Sequence, residues 1–218
     1  MPPRLLRRAF LGAALALAPL TAPWLSEPAQ ASALAELSEN DLTDASTWIV
    51  RGEVTRVWVE RDAVTGHLWT RSELAVQRVF KGPGDPATLI VDTLGGTLDG
   101  ETMEVMQAPR WSVGEEVFLF LDQLESGRLS TLGLFLGKFS VRRAPGDTRP
   151  YALRWHGRTG ERYDARFIPH PPEGRRIYLD ELEERVSLRL DTGWDGRDIP
   201  GLSRERLQTI NTPAWRRR

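Results

Sequence analysis

The chain has 218 residues, 40% of them hydrophobic and 27% charged, which is enough for one core of ordinary size. Its formal net charge of -1 excludes the basic field of a dedicated nucleic-acid binder, so no nucleic-acid partner is expected. It has no cysteine, which excludes disulfides, thiolate metal sites, a cysteine nucleophile and a lipidated N-terminal cysteine.

Residues 1–33 read as an export signal. Arg4, Arg7 and Arg8 form a positive start, and Leu11–Leu20 is an apolar stretch too short to anchor in a bilayer. Small-residue cleavage patterns end at Ala33 and, alternatively, at Ala31. Arg7-Arg8-Ala9-Phe10-Leu11 fits a twin-arginine signal and equally an ordinary secretory signal with two adjacent arginines. Cleavage removes three arginines and Glu27, which leaves a net charge of -3. No second long apolar run follows. The sequence therefore predicts a periplasmic or secreted protein with no membrane span after cleavage.

Leu34–Ala45 is expected to be a short helix, with Leu34, Leu37 and Leu42 on one face and Ser38 paired with Asp41 as a cap. Thr47–Arg61 is the first strand. Trp48, Val50, Gly52 and Val54 share one face, then Val57 and Val59 take the other, as a bulge would produce. His67–Phe80 is the second strand, with Leu68, Leu74, Val76 and Phe80 on one face. Lys81–Pro86 ends it, because two prolines and two glycines permit only a loop. Ala87–Leu94 is the third strand, broken by Gly95-Gly96, and Glu101–Gln107 the fourth. Val117–Leu121 is an unbroken apolar run between Gly114 and Asp122, short enough to be a strand buried on both faces. Arg128–Leu136 and Lys138–Arg143 follow as strands. Tyr151–His156 and Tyr163–Ile168 are expected to pair about Gly157–Gly160, with Pro169–Arg176 as a linker. Leu179, Leu182, Val186 and Leu190 mark a helix over Ile177–Leu190, and Ser203 caps another over Ser203–Ile210.

These elements predict a mainly β fold: a small OB-like barrel of five to seven strands over 34–143, with a short N-terminal helix. A hairpin and linker follow over 144–176, then a C-terminal helical appendage over 177–218. Several features stand in a telling order. They are Trp48-Ile49-Val50-Arg51-Gly52-Glu53-Val54, Val79-Phe80-Lys81-Gly82, Gly95-Gly96, Pro109-Arg110-Trp111-Ser112-Val113-Gly114-Glu115, and Gly133 followed by Gly137-Lys138-Phe139. The pattern, over residues 38–143, resembles a group of exported bacterial β-domain proteins, some of whose relatives precede matrixin-type metalloproteases. More remotely it is similar to the netrin-like, metalloprotease-inhibitor type of OB barrel. Inhibitors of that type chelate zinc through an N-terminal cysteine, which this chain lacks, so the resemblance implies a binding barrel and not that mechanism.

Little in the sequence points to catalysis. His67, His156 and His170 are the only histidines, and none stands at metal-ligand spacing from another. Asp191, Asp195 and Asp198 form the one carboxylate-rich loop. The calcium pattern fails there, because Leu202 falls where a bidentate Glu belongs, and the simpler reading is a turn whose Asp side chains bond their own backbone. Glu115 and Glu116 are adjacent on a strand and so point to opposite faces, which prevents a shared acid–base site. No metal or other cofactor is expected.

Eight tryptophans is a high count for this length. Trp58 and Trp69 fall on either side of the first hairpin turn, on strands that pair. Core packing is one fate for such rings. The other is exposure beside Arg56, Arg61 and Arg71, and with Trp111 this gives an aromatic and arginine surface suited to a protein partner. The sequence thus points to a non-enzymatic binding module for a protein or envelope component. The alternatives are a metal-dependent hydrolase using His156 or the Asp191–Asp198 loop, or an inhibitor or accessory domain of a secreted metalloprotease.

Overall fold

Ser38 sets where the chain becomes helical. Its hydroxyl accepts the Asp41 N–H at 3.2 Å, and the Asp41 carboxylate accepts the Ser38 N–H at 2.9 Å, which satisfies two otherwise orphaned donors. The resulting α1 spans Glu39–Ala45. The computed structural model describes residues 37–154 and 175–212, with the backbone of 162–163 and 169–170. The segment expected to be an export signal, both expected cleavage patterns, His156, the side chain of His170 and the expected turn at Gly157–Gly160 lie outside the described side chains.

β1 (Trp48–Arg61) and β2 (Leu68–Lys81) pair antiparallel along their whole length. The register slips at Ile49/Val50, at Arg51/Gly52 and at Val54/Arg56. The last slip is the bulge anticipated from the change of parity between Val54 and Val57. At Gly52 an added Cβ would collide with the Ala75 carbonyl oxygen, so the bend needs glycine. The second slip, at Arg51/Gly52, corrects one expectation: it brings Val79 onto the face of Leu74 and Val76, so Phe80 does not share that face. It packs against Phe118 on the other side of the sheet, ring centroids 5.0 Å apart.

β3 (Thr88–Leu94) pairs with β2, and β4 (Gly96–Leu98) with β5 (Glu101–Met103) forms a small separate hairpin. β5 is shorter than the predicted Glu101–Gln107, where Gln107 takes a positive φ of 64°. The apolar run becomes β6 (Glu116–Gln123), with all five residues from Val117 to Leu121 fully buried. β7 covers only Leu129–Thr131. The strand expected to reach Leu136 stops early because Gly133 and Leu134 both adopt φ of 59°, which turns the chain into a short 3-10 helix over Leu134–Gly137. β8 (Lys138–Arg142) then returns along β6.

The next hairpin is also rearranged. β9 (Tyr151–Arg154) pairs with β8 and with β12 (Arg175–Tyr178), while residues 164–168 of the expected partner lie outside the described residues. β10 (Arg162–Tyr163) and β11 (Pro169–His170) pair with each other, so part of the expected linker is strand. Ile177 and Tyr178 belong to β12, and α2 runs Leu179–Thr192, with α3 at Arg204–Asn211.

The chain is therefore mainly β, with a short N-terminal helix and helices on the C-terminal side. Among the described residues the main sheet has eight strands in the order β1-β2-β3-β7-β6-β8-β9-β12, six of them within 34–143, and β6 pairs back to β1. β3 and β7 meet in parallel at a single pair, Val91 with Leu129. The sheet has a core on each face. Trp48, Val50, Val54, Leu74, Val91, Val117, Leu119 and Leu121 fill one. Ile49, Phe118, Phe120 and Phe139 meet Leu179, Leu182, Val186, Ile199 and Leu207 in the other, so α2 and α3 roof the sheet. No helix among the described residues is long and apolar enough to cross a membrane.

Candidate binding face

Beyond the Val54/Arg56 slip, alternation along β1 turns Arg56, Trp58 and Glu60 to one face. Trp58 lies opposite Arg71 and Glu60 opposite Trp69, so β2 adds Trp69, Arg71 and Glu73 to that face. Asp92, opposite Arg71, extends it onto β3. The alternate residues Leu68, Ser72 and Leu74 are buried on the core side. Four of the five predicted binding residues, Trp58, Trp69, Arg56 and Arg71, are thus brought together.

Arginines stack on both indoles. Arg56 and Arg71 lie 4.6 and 5.5 Å from the Trp58 ring centroid, and Arg128 lies 4.9 Å from that of Trp69. Arg71 also bonds Glu60 at 2.9 Å and Asp92 at 3.0 Å, while Arg128 bonds Asp92 at 3.2 Å and Asp62 at 2.9 Å. The Asp92 side chain is only 3% exposed, so a nearly buried carboxylate is shared by two guanidinium groups. Asp62 is held down to a pKa of about 2 by the Thr65 N–H and hydroxyl, by Arg128 and by the Val64 N–H. The web ties the turn after β1 to the turn after β6. Between β2–β3 and the turn after β6 lies a groove of about 470 Å³, lined by Arg71, Ile90, Asp92 and residues 126–129. Arg56 is exposed and, among the described residues, has no carboxylate within 4.0 Å; Glu73, opposite it in the register, accepts from the Thr55 hydroxyl instead.

Trp111 is placed elsewhere. Its Nε1–H donates to the Thr93 hydroxyl at 3.0 Å and its ring packs on the inner core. Lys138 Nζ stands 5.1 Å from that ring and donates to both Glu115 oxygens at 2.9 and 2.8 Å, and to the Arg110 carbonyl. The Pro109–Glu115 and Gly137–Phe139 motifs therefore meet in one ion pair. Glu116 points away from it, toward Arg51 and Arg143. Arg61 ends β1 and pairs with Glu101 of the small hairpin at 2.6 Å.

The other candidates do not join the face. His67 is exposed at the turn exit. Asp195 turns to Arg189 and Arg197, Asp198 to Arg204, and Asp191 is exposed. Among the described residues no three His, Asp or Glu side chains are grouped to hold a metal ion. Glu60, Asp62, Asp92 and Arg128 are members of the face that the sequence reading did not single out. Asp92 alone left a signal, as the one charge inside the apolar strand Thr88–Leu94.

No family model matches this chain, and no curated protein matches its sequence.

Proposed function

We propose that the chain is an exported, non-enzymatic binding module. Its β1-β2-β3-β7-β6 ring is an OB-type barrel, and its face over β1–β3 engages a protein or envelope component. The strand order supports the barrel: a three-strand meander, then a pair that returns so that β7 lies parallel to β3 and β6 closes onto β1. OB barrels bind over strands two and three and the flanking loops, which is where Trp69, Arg71 and the two linked turns lie, with Trp58 opposite Arg71 on the first strand. The single observation that carries the reading is the composition of that face. Indole and guanidinium surfaces interleave there and one arginine lacks a counter-ion, the residue types that anchor protein interfaces. A residue such as Trp58 or Arg56 at a hot spot is worth about 2 kcal/mol on truncation.

The test is capture from envelope extract by the mature chain, with Trp58→Ala and Arg56→Ala run alongside. A partner retained by wild type and released about thirtyfold more easily by either variant is the expected result. Equal retention by all three, with the variants folded, refutes this face.

A further inference from the structure

A second site lies at the opposite end of β2 from that face, where the strand finishes at Lys81. The ends of α1, β2, α2 and α3 surround a cleft of about 500 Å³, within the size range of small-ligand pockets. Trp194, Leu190 and Ile210 give it an apolar wall. Lys81, Arg189 and Asp44 are the charged residues among its lining.

The state of those charges decides what would fit. Asp44 is already taken: its carboxylate accepts Arg189 Nε at 2.9 Å and Nη2 at 2.7 Å, and Arg197 Nη2 at 3.1 Å. Arg189 spends Nε and Nη2 on that clasp, and Nη1 makes no bond to a described residue. Lys81 Nζ donates only to neutral oxygens: the Thr43 carbonyl at 2.9 Å, the Asn211 side chain at 3.2 Å and the Asp44 carbonyl at 3.4 Å. Two of these three bonds are long, so one donor is weakly held and can turn toward an incoming acceptor. Arg189 is matched by Asp44 and by Asp195 at 3.3 Å, so among the described residues Lys81 is the cation of this lining that has no carboxylate bonded to it, and it stands in the same cleft as the apolar wall.

We propose that this cleft binds a small organic carboxylate, its anionic head on Lys81 and Arg189 and its apolar body against Trp194, Leu190 and Ile210. Burial pulls the Lys81 ammonium down to a pKa of about 8, with only Asp44 opposing. A bound carboxylate would therefore raise it. The site stands apart from the barrel face and does not depend on it.

The chain has only two lysines, Lys81 and Lys138, so lysine-selective NMR resolves the anchor directly. Hexanoate is titrated into the mature protein, with hexanol and hexylamine as controls. Saturable binding of hexanoate below about 1 mM is expected, together with a rise of about one unit in the Lys81 midpoint and none at Lys138. Lys81→Met should weaken hexanoate at least about tenfold. Because that variant also loses a structural anchor, Thr209→Trp, which fills the cleft from an exposed helix position and spares Lys81, should abolish binding too. Absence of saturation by about 10 mM overturns the proposal, as does hexanol or hexylamine binding as tightly as hexanoate. Undiminished binding to folded Thr209→Trp also overturns it.

Discussion

Lys81 and Lys138 are the chain's only lysines, and both are drawn inward. Burial lowers the Lys138 ammonium, and the Glu115 carboxylate opposes the effect. Lys81 has no carboxylate bonded to it, and its pKa falls from 10.5 to about 8. The sign for stability follows. Below pH 8 both folded and unfolded chains hold the proton, and the fold bears the whole cost of burying the charge. Between pH 8 and 10.5 the folded chain releases its proton first, so that cost is relieved and stability rises with pH by at most about 3 kcal/mol. Urea unfolding at pH 7.5 and pH 10 should show this rise in wild type, and it should be smaller in Lys81→Met. Asp92 works in the opposite sense, as an anion that holds two cations. Asp92→Asn leaves Arg71 and Arg128 competing for a neutral amide and should lower stability by about 3 kcal/mol, read from the urea midpoint. Neither lysine's partners were legible in the sequence. Lys81 reaches Asn211 across 130 positions, and no local pattern encodes such a meeting.

At the level of elements, whatever is written in a short window was readable. The Ser38 cap needed only Asp41 three residues on, and β6 needed only five apolar side chains in a row. The bulge in β1 announced itself when valines changed parity. What depends on the choice of partner was not readable. Alternation in Tyr151–Arg154 fits a strand, but it does not say that the neighbour is Arg175–Tyr178. The stop at β7 rests on Leu134, a residue that ordinarily avoids a positive φ. The proposed face was legible in its tryptophans and two arginines, whereas Arg128 joins it only because the sheet sets β7 beside β3. The cap gives a clean element-scale prediction. Ser38→Ala should cost about 1 kcal/mol, measured as a lower unfolding midpoint, with no change at the face over β1–β3.

For the molecule as a whole, the helices beyond residue 178 are structural parts of the second core. Phe118 and Phe120 lie 5.4 Å apart, Phe120 and Phe139 5.7 Å, and this aromatic row is roofed by Leu182, Val186, Ile199 and Leu207. Arg206 adds a clasp to Asp122 at 2.6 Å, and Arg51 one to Glu183 at 2.8 Å. A chain ending at residue 178 should therefore bare the phenylalanines. It is expected to bind a hydrophobic dye and to lose its cooperative thermal transition while keeping β-type circular dichroism. A cooperative, dye-free product would show instead that the sheet is self-sufficient.

β6 has neighbours on both edges: β1 along one, β8 and then β7 along the other. Its partner on the first edge begins at Trp48, and the Thr47 N–H closes the join on the Leu121 carbonyl at 2.9 Å, 74 positions away. During synthesis the opening strands must therefore wait, unsealed, until the chain has grown past residue 121. Such distant closure makes a slow folder, and an apolar strand awaiting its mate invites self-association. Timing of maturation, as much as any contact in the finished molecule, thus falls to one eight-residue segment at the middle of the sequence.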